Sequence, residues 1–189
     1  MRDPKIIDTL RIAAVPWKNG GGITREISQA KTSNGFTWRL SIADVSAEGA
    51  FSSFPGMSRI LTVIEGRGLQ LQSPSMTHDV PLFAPFSFSG DLDIHSLLSN
   101  GAIRDFNVIF DPGQINAEVR VVNGPTHDSI GALEGIVYAI FAIQGASICN
   151  GTILKQGSCA LVKNDALRFT VPKKNKALYV QLSNLSAPA

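Results

Sequence analysis

The chain has 189 residues, of which 44% are hydrophobic and 17% are charged, and its formal net charge is +2. This length provides a substantial core, in one large domain or in two fused halves. The near balance of basic and acidic residues favours no polyanionic partner, so nucleic-acid binding is not expected, and no apolar run approaches the roughly 20 residues needed to span a bilayer.

The first predicted feature follows a short N-terminal segment. Residues 1–5 lack the apolar core of a signal peptide, so a cytoplasmic location is expected. Residues 16–26 then read PWKNGGGITRE. Three consecutive glycines allow a positive φ or a close approach by another group, and Trp17 would be out of place in a flexible linker. The stretch therefore predicts a functional site.

Alternation of apolar and polar residues dominates the rest of the chain. In residues 36–43 it places Phe36, Trp38, Leu40 and Ile42 on one face of a strand. Further short β-rich runs follow at residues 59–64, 69–72, 82–84, 86–88, 106–110, 119–122, 136–141, 146–149, 160–162, 167–170 and 177–182. Short strands between Gly, Pro, Asn and Ser turns predict an all-β sandwich or barrel. Little helix is expected, with one short candidate near residues 129–133, and the basic run 173–176 is predicted to be a turn.

A weak internal repeat divides the chain. Residues 60–66 (ILTVIEG) and 139–145 (AIFAIQG) both end a β-rich run on a polar residue and a glycine, and similar strands follow each. This succession of strands and turns is typical of a repeated cupin half-barrel and predicts a bicupin of two jelly-roll halves. Residues 1–112 are expected to carry a ligand pocket at the barrel mouth, and residues 113–189 to be mainly structural.

A metal site is not predicted. The usual cupin site needs two histidines one residue apart, a downstream glutamate and a third histidine, but His78, His95 and His127 are far apart in sequence. His78 and His127 stand in turn-like contexts, whereas His95 lies in an alternating stretch and could point into the barrel. We expect no metal and no other cofactor.

Nucleophilic catalysis also lacks a motif. There is no G-x-S-x-G, neither Cys149 nor Cys159 has a histidine nearby in sequence, and residues 20–22 lack the Gly-Lys-Ser/Thr of a phosphate loop. Both cysteines are expected to be free, buried thiols, in keeping with a cytosolic protein.

A set of charged and amide residues stands where a soluble β protein would not require them. Its members are Lys18, Asn19, Arg25, Arg59, Asp91, Asp105 and Asn107. Any of Arg25, Asp91 and Asp105 alone could equally form a buried ion pair that ties strands together. As a set they favour a ligand site, because arginine offers a fork matched to a carboxylate and lysine a point charge. A small carboxylate is therefore the predicted ligand class.

The same residues carry a family resemblance. Residues 15–27, 51–59, 88–91 and 104–108 resemble four motifs of the HutD/Ves family, and the similarity extends over about residues 8–112. The third motif departs slightly, since Ser89 stands where aspartate is expected.

The resemblance implies a two-part cupin fold without a conventional metal site, in a bacterial cytosolic protein linked with histidine utilisation or with stress responses. It implies no established catalytic activity. For the histidine-utilisation branch it implies regulation of flux by binding an acidic intermediate such as formylglutamate through a pocket arginine. That arginine would be Arg59, with Lys18, Asn19 and Arg25 nearby.

Two alternatives stay open. One is a metal-independent isomerase or hydrolase that acts on a small carboxylate with Asp91 or Asp105 as general base. The other is a purely structural or stress-response interaction protein, with a homodimer as an open option. A ligand-binding role predicts that Arg59→Ala abolishes ligand-induced stabilisation and leaves the fold intact, whereas a structural role predicts strong destabilisation.

Overall fold

The computed structural model describes residues 2–33, 35–98 and 100–185, which form two compact units. The N-terminal unit is Ile12–Gly113, and the C-terminal unit combines Met1–Arg11 with Gln114–Ala189. The described residues contain one helical segment, the 3-10 turn Thr9–Arg11, and no helix among them is long and apolar enough to cross a membrane. The predicted all-β class is confirmed.

The strands follow one another closely along the chain, and their lengths range from two to eleven residues. In order they are β1 (Lys5–Asp8), β2 (Val15–Pro16), β3 (Gly22–Thr32), β4 (Gly35–Val45), β5 (Gly49–Ala50), β6 (Ser58–Glu65), β7 (Leu69–Ser73), β8 (Met76–Val80), β9 (Phe86–Ser89), β10 (His95–Leu97), β11 (Ile103–Phe110), β12 (Ile115–Asn123), β13 (Thr126–Ile130), β14 (Ile136–Gln144), β15 (Ser147–Cys149), β16 (Thr152–Leu154), β17 (Ser158–Lys163), β18 (Leu167–Val171) and β19 (Lys176–Asn184).

The same strand order occurs twice. In the N-terminal unit, β4-β11-β6-β9 are neighbours in one sheet, extended by β3 and β2, and β5-β10-β7-β8 form the other. In the C-terminal unit, β12-β19-β14-β17 are neighbours in one sheet, extended by β1, and β13-β18-β15-β16 form the other. Each set of eight strands has the two four-stranded layers of a jelly roll. The repeated runs predicted at residues 60–66 and 139–145 fall on β6 and β14, which hold equivalent positions.

The core of each unit lies between its two sheets. In the N-terminal unit, Leu61 and Val63 from the larger sheet share one buried cluster with Leu71 and Val80 from the smaller sheet. In the C-terminal unit, aromatic and aliphatic residues of both sheets do the same. Alternating side chains along each strand supply these inward faces.

The chain was predicted to divide into residues 1–112 and 113–189, but the N-terminal strand belongs to the C-terminal unit. Strand β1 pairs antiparallel with β17, with Lys5 opposite Leu161 and Asp8 opposite Ser158. The first eleven residues are therefore grouped with the C-terminal unit. A pairing across about 150 residues leaves no local signal in the sequence.

Two local predictions were wrong. The helix expected near residues 129–133 is absent, because Thr126–Ile130 forms β13 and pairs with β18. The strand expected at residues 82–84 is reduced to one bridge between Leu82 and Val63, since Phe83 turns the chain with a φ of 66°. The basic run 173–176 does contain the predicted turn, between β18 and β19.

Candidate functional site

The N-terminal unit contains a cavity with an outer part of about 640 Å³ and an inner part of about 50 Å³. Both parts are lined by Trp17, Arg39, Phe51 and Phe54. The outer part adds Lys18, Asn19 and Glu26, and the inner part adds Ser41, Arg59, Asp105 and Asn107. Five of the seven residues predicted from sequence for a ligand site thus line the cavity, three of them in its inner part and two, Lys18 and Asn19, in its outer part.

Alternation along four neighbouring strands builds the wall of this cavity. Asp105 lies opposite Ala43, and Asn107 lies opposite Ser41, across the β4–β11 pair. On the other side of β4, Glu26 is the partner of Ser41. Because successive side chains alternate between the faces of a sheet, these strands present one polar row to the cavity.

The glycine-rich segment positions Trp17 at the mouth. The Trp17 amide donates to the Gly22 carbonyl at 2.9 Å, and the Gly20 amide donates to the Trp17 carbonyl at 3.0 Å. Gly20 has a φ of +73°, and a Cβ on Gly22 would lie 2.5 Å from the Asp44 carbonyl oxygen and 3.3 Å from the Trp17 ring. Two of the three glycines therefore meet the predicted needs, a positive φ and a close approach. The indole Nε1 donates to Thr24 Oγ1 at 2.8 Å and fixes the ring.

Lys18 and Asn19 lie at the exposed mouth. Asn19 Nδ2 donates to the Ala50 carbonyl at 3.1 Å, and Asn19 Oδ1 accepts from the Gly21 amide at 3.0 Å. Through these two hydrogen bonds, Asn19 holds the glycine-rich turn against β5. Lys18 places a mobile positive charge on the rim.

Arg59 lies at the inner end and is only 6% exposed. Its Nη2 donates to Asn107 Oδ1 at 2.9 Å, and its Nη1 donates to the Ser52 carbonyl at 3.3 Å. The guanidinium also lies over the rings of Phe51, Phe54 and Phe88, at 5.4, 5.4 and 5.0 Å from their centroids. Burial lowers the pKa of Arg59 to about 10, against the opposing charge of Asp105. Arg59 thus remains a cation at neutral pH.

Asp105 is fully buried beside it. Its Oδ1 accepts a hydrogen bond from Asn107 Nδ2, while its Oδ2 has no hydrogen-bond partner among the residues that the structure describes. Burial raises the pKa of Asp105 to about 7, although the Arg59 charge and the Asn107 hydrogen bond act in the opposite direction. Asn107 therefore links a buried cation to a buried carboxyl group.

Arg25 does not join the site. Its Nη1 pairs with Asp44 Oδ2 at 2.5 Å, and Asp44 Oδ1 pairs with Arg104 Nε, also at 2.5 Å. Alternation explains this placement, since Thr24 and Glu26 line the cavity and Arg25 between them faces the other way. The structural alternative considered for Arg25 is the one observed.

We expect Asp44→Asn to lower the free energy of unfolding by about 1–2 kcal/mol at pH 7, because it weakens two ion pairs of a half-buried carboxylate. Burial raises the pKa of Asp44, but hydrogen bonds from Arg104 and Arg25 outweigh it, so the net pKa is lowered. The stabilisation is therefore present above the ordinary value of 3.8 and is lost as the pH falls below it. Urea unfolding at pH 7 and pH 3 measures this; an equal loss at both would contradict it.

Asp91 lies outside the cavity, contrary to the prediction. It is exposed, and its Oδ1 accepts from the Gly56 amide while its Oδ2 accepts from Ser89 Oγ, both at 2.9 Å. The Gly56 amide and the Ser89 hydroxyl hold the pKa of Asp91 below its usual value. Asp91 closes a turn, so only Asp105 could serve the catalytic alternative.

Arg39 is the main cavity residue that the sequence did not reveal. Its guanidinium lies 4.9 Å from the Phe54 centroid and 5.2 Å from that of Phe36. Across residues 2–33, 35–98 and 100–185 it forms no hydrogen bond or ion pair, and its Nε is buried without a partner. Burial lowers the pKa of Arg39, against the opposing charge of Glu26. Its position between the apolar residues 38 and 40 was the only signal, because alternation places residue 39 on the opposite face of the strand.

The histidines lie on three different strands. His78, His95 and His127 belong to β8, β10 and β13, and all three are exposed. His95, for which a position inside the barrel was considered, is exposed instead, and His78 and His127 lie on strands and not in turns. Within the described part of the chain, no group of three His, Cys, Asp or Glu residues is arranged to hold a metal ion.

Both cysteines are free and buried, as predicted. Burial raises the pKa of the Cys149 thiol to about 12 and that of Cys159 further still. The thiolate form needed for nucleophilic chemistry is therefore disfavoured at neutral pH.

One protein-family model matches most of this chain. The sequence model of the HutD family matches residues 10–179. A Pseudomonas putida protein described as an uncharacterized 21.2 kDa protein in the hutC 3' region is 43% identical over 113 residues, and the alignment spans 58% of this chain and 60% of that protein. Protein Ves of Citrobacter koseri is 35% identical over 162 residues, 83% of each chain.

Solved structures agree with this comparison. HutD from Pseudomonas fluorescens SBW25 matches with a TM-score of 0.86 at 32% identity, over 97% of this chain and 100% of that one. A cupin barrel domain protein from Leptotrichia buccalis matches with a TM-score of 0.57 at 10% identity, over 98% of each chain, which concerns the fold alone. The expected cupin-like fold is confirmed.

Proposed function

Because this chain belongs to the HutD family, we propose that its cavity binds a small carboxylate such as formylglutamate and that this binding regulates flux in histidine utilisation. The observation that carries the proposal is Arg39. Its guanidinium lines both parts of the cavity and forms no hydrogen bond or ion pair with the described residues. A half-buried cation without a hydrogen-bonded anion is costly, and an anion bound beside it would offset that cost.

The charges of the cavity support an anionic ligand. Lys18, Arg39 and Arg59 supply three positive charges, against the carboxyl groups of Glu26 and Asp105. One positive charge is in excess when Asp105 is ionised, and two when it is protonated. Arginine is suited to the flat, two-pronged geometry of a carboxylate.

The shape of the cavity supports a ligand with a polar end and a longer body. The inner part, of about 50 Å³, has room for a group of a few heavy atoms. The outer part is large enough for the remainder of a small metabolite, and Trp17, Phe51 and Phe54 give it an apolar lining. Formylglutamate has this form, with two carboxylates and a formyl group on a short chain.

The relatives support a place in histidine utilisation. The Pseudomonas putida relative is described by its position in the hutC 3' region, and the Pseudomonas fluorescens relative of known structure is described as HutD.

The test is the affinity for formylglutamate, measured by isothermal titration calorimetry. We expect Arg39→Gln to weaken binding by at least about tenfold, because it removes a charge-assisted hydrogen bond to the ligand. Arg25→Gln is the matched control, since Arg25 faces away from the cavity and pairs with Asp44. The proposal fails if no carboxylate binds the wild type, or if Arg39→Gln binds as tightly as Arg25→Gln.

A further inference from the structure

The inner end of the cavity presents one carboxyl oxygen with no partner. Asp105 is fully buried, and its Oδ2 forms no hydrogen bond with any residue that the structure describes. The other oxygen, Oδ1, accepts from Asn107. Since buried polar atoms are nearly always hydrogen-bonded, an orphaned oxygen in a cavity wall marks the place of a missing partner.

The groups around Asp105 come from every strand of this wall. Arg59 on β6 is joined to Asp105 through Asn107 on β11, and β4 contributes Arg39. Glu26 on β3 lies at the outer part, and Lys18 at the rim. On the opposite face of β4, the carboxylate of Asp44 also acts on Asp105, in the direction that favours the neutral acid.

A carboxylate ligand drawn to these arginines would arrive next to Asp105. Arg59 and Asp105 line the same inner part of about 50 Å³, so a carboxyl group in it lies close to both. Two ionised carboxyl groups in contact repel each other, and one of them must hold a proton. Asp105 is the more favourable site for that proton, because burial has already raised its pKa to about 7.

Resting on the proposed function, we propose that neutral Asp105 donates a hydrogen bond from Oδ2 to an oxygen of the bound carboxylate, so that the cavity takes up its anionic ligand together with one proton. Asp105 then selects ligands that present an acceptor oxygen at the inner end. An N–H donor in the same place would instead require ionised Asp105.

The two cases differ in the sign of their pH dependence. With Asp105 as a donor, the affinity for formylglutamate falls as the pH rises above about 7, by up to tenfold per pH unit. With Asp105 as an acceptor for an N–H group, the affinity instead rises with pH up to about 7 and levels off above it. The carboxyl groups of the ligand are ionised throughout it and contribute no change.

The experiment is calorimetric titration of formylglutamate from pH 6 to 9, in buffers of different ionisation enthalpy. We expect the wild type to take up close to one proton per ligand at pH 8. Asp105→Asn should bind with an affinity independent of pH, because its amide can donate but cannot titrate. Asp91→Asn is the matched control, since Asp91 lies in an exposed turn, and it should keep the wild-type pH profile.

A second readout needs no variant. The ¹³C chemical shift of the Asp105 carboxyl carbon, followed against pH, should show a higher pKa in the presence of saturating formylglutamate than in its absence. An affinity that is flat with pH or that rises with it, or an Asp105 titration that the ligand does not move upwards, overturns this inference and leaves the proposed function standing. Absence of binding at every pH overturns both.

Discussion

Replacing Arg59 with alanine is expected to lower the free energy of unfolding by about 3–5 kcal/mol at pH 8. The change removes the cation that faces buried Asp105, and it leaves the Asn107 side chain and the Ser52 carbonyl without their donor. It also leaves a space between three phenylalanine rings that the guanidinium now fills. Urea unfolding of the purified variant measures the loss.

The loss should shrink at pH 5. Arg59 lowers the pKa of Asp105, so in the variant Asp105 keeps its proton to a higher pH and becomes neutral in the acid range. A neutral Asp105 needs no cation, and the cost of removing Arg59 is then mainly the lost packing and hydrogen bonds.

Arg120→Ala is the matched control for Arg59→Ala. Arg120 pairs with Asp128 and stacks on Tyr179, but its side chain is 44% exposed. The expected change is below about 1 kcal/mol, as for most exposed ion pairs. If the two variants lost the same stability, Arg59 would have no special structural role. Because a stability effect is expected for Arg59→Ala, loss of ligand binding in that variant cannot by itself assign the binding residue, whereas Arg39→Gln can.

Local sequence patterns were sufficient to predict most of the fold. The alternation in residues 36–43 and 106–110 predicted β4 and β11, and the repeated runs ending at Gly66 and Gly145 predicted the equivalent strands β6 and β14. These features need only a period of two and turn residues. Strand β1 was different, because its partner β17 lies about 150 residues away and nothing near Lys5 indicates it.

Only part of the candidate site could be predicted, because alternation fixes the common face of residues on one strand but not that of residues on different strands. Asp105 and Asn107 are two residues apart on one strand, so their common face followed from alternation alone. Arg25 and Arg39 lie on two different strands, and their faces depend on the register of β3 against β4, including two shifts in that pairing. The sequence analysis selected Arg25 and not Arg39, because only the register decides that Arg39 meets the cavity and Arg25 meets Asp44.

The second large effect expected is on the pH dependence of stability. Between pH 4 and pH 8, the free energy of unfolding of the wild type should fall by up to about 4 kcal/mol relative to that of Asp105→Asn. The cause is the buried carboxyl group, whose pKa is raised from 3.8 to about 7 in the native protein. Urea unfolding of both proteins across this range gives the difference directly.

The sign follows from proton binding. Below pH 3.8, Asp105 is protonated in the native and the unfolded chain, and the difference between the two proteins is constant. Between 3.8 and about 7 the unfolded chain releases the proton while the native protein retains it, so unfolding becomes more favourable as the pH rises. Above about 7 both states are ionised and the difference levels off.

The comparison with Asp105→Asn isolates this one group. Ionisable groups far from position 105 contribute equally to both proteins and cancel in the difference, and the cost of leaving Arg59 beside an amide does not change with pH. A difference that rises with pH would mean that Arg59 stabilises ionised Asp105 more than burial disfavours it. The native site would then hold a permanent ion pair, and the proton required for carboxylate uptake would have to come from elsewhere. A falling difference shows instead that Asp105 is a neutral acid around pH 6, the form that can donate a hydrogen bond to an incoming carboxylate.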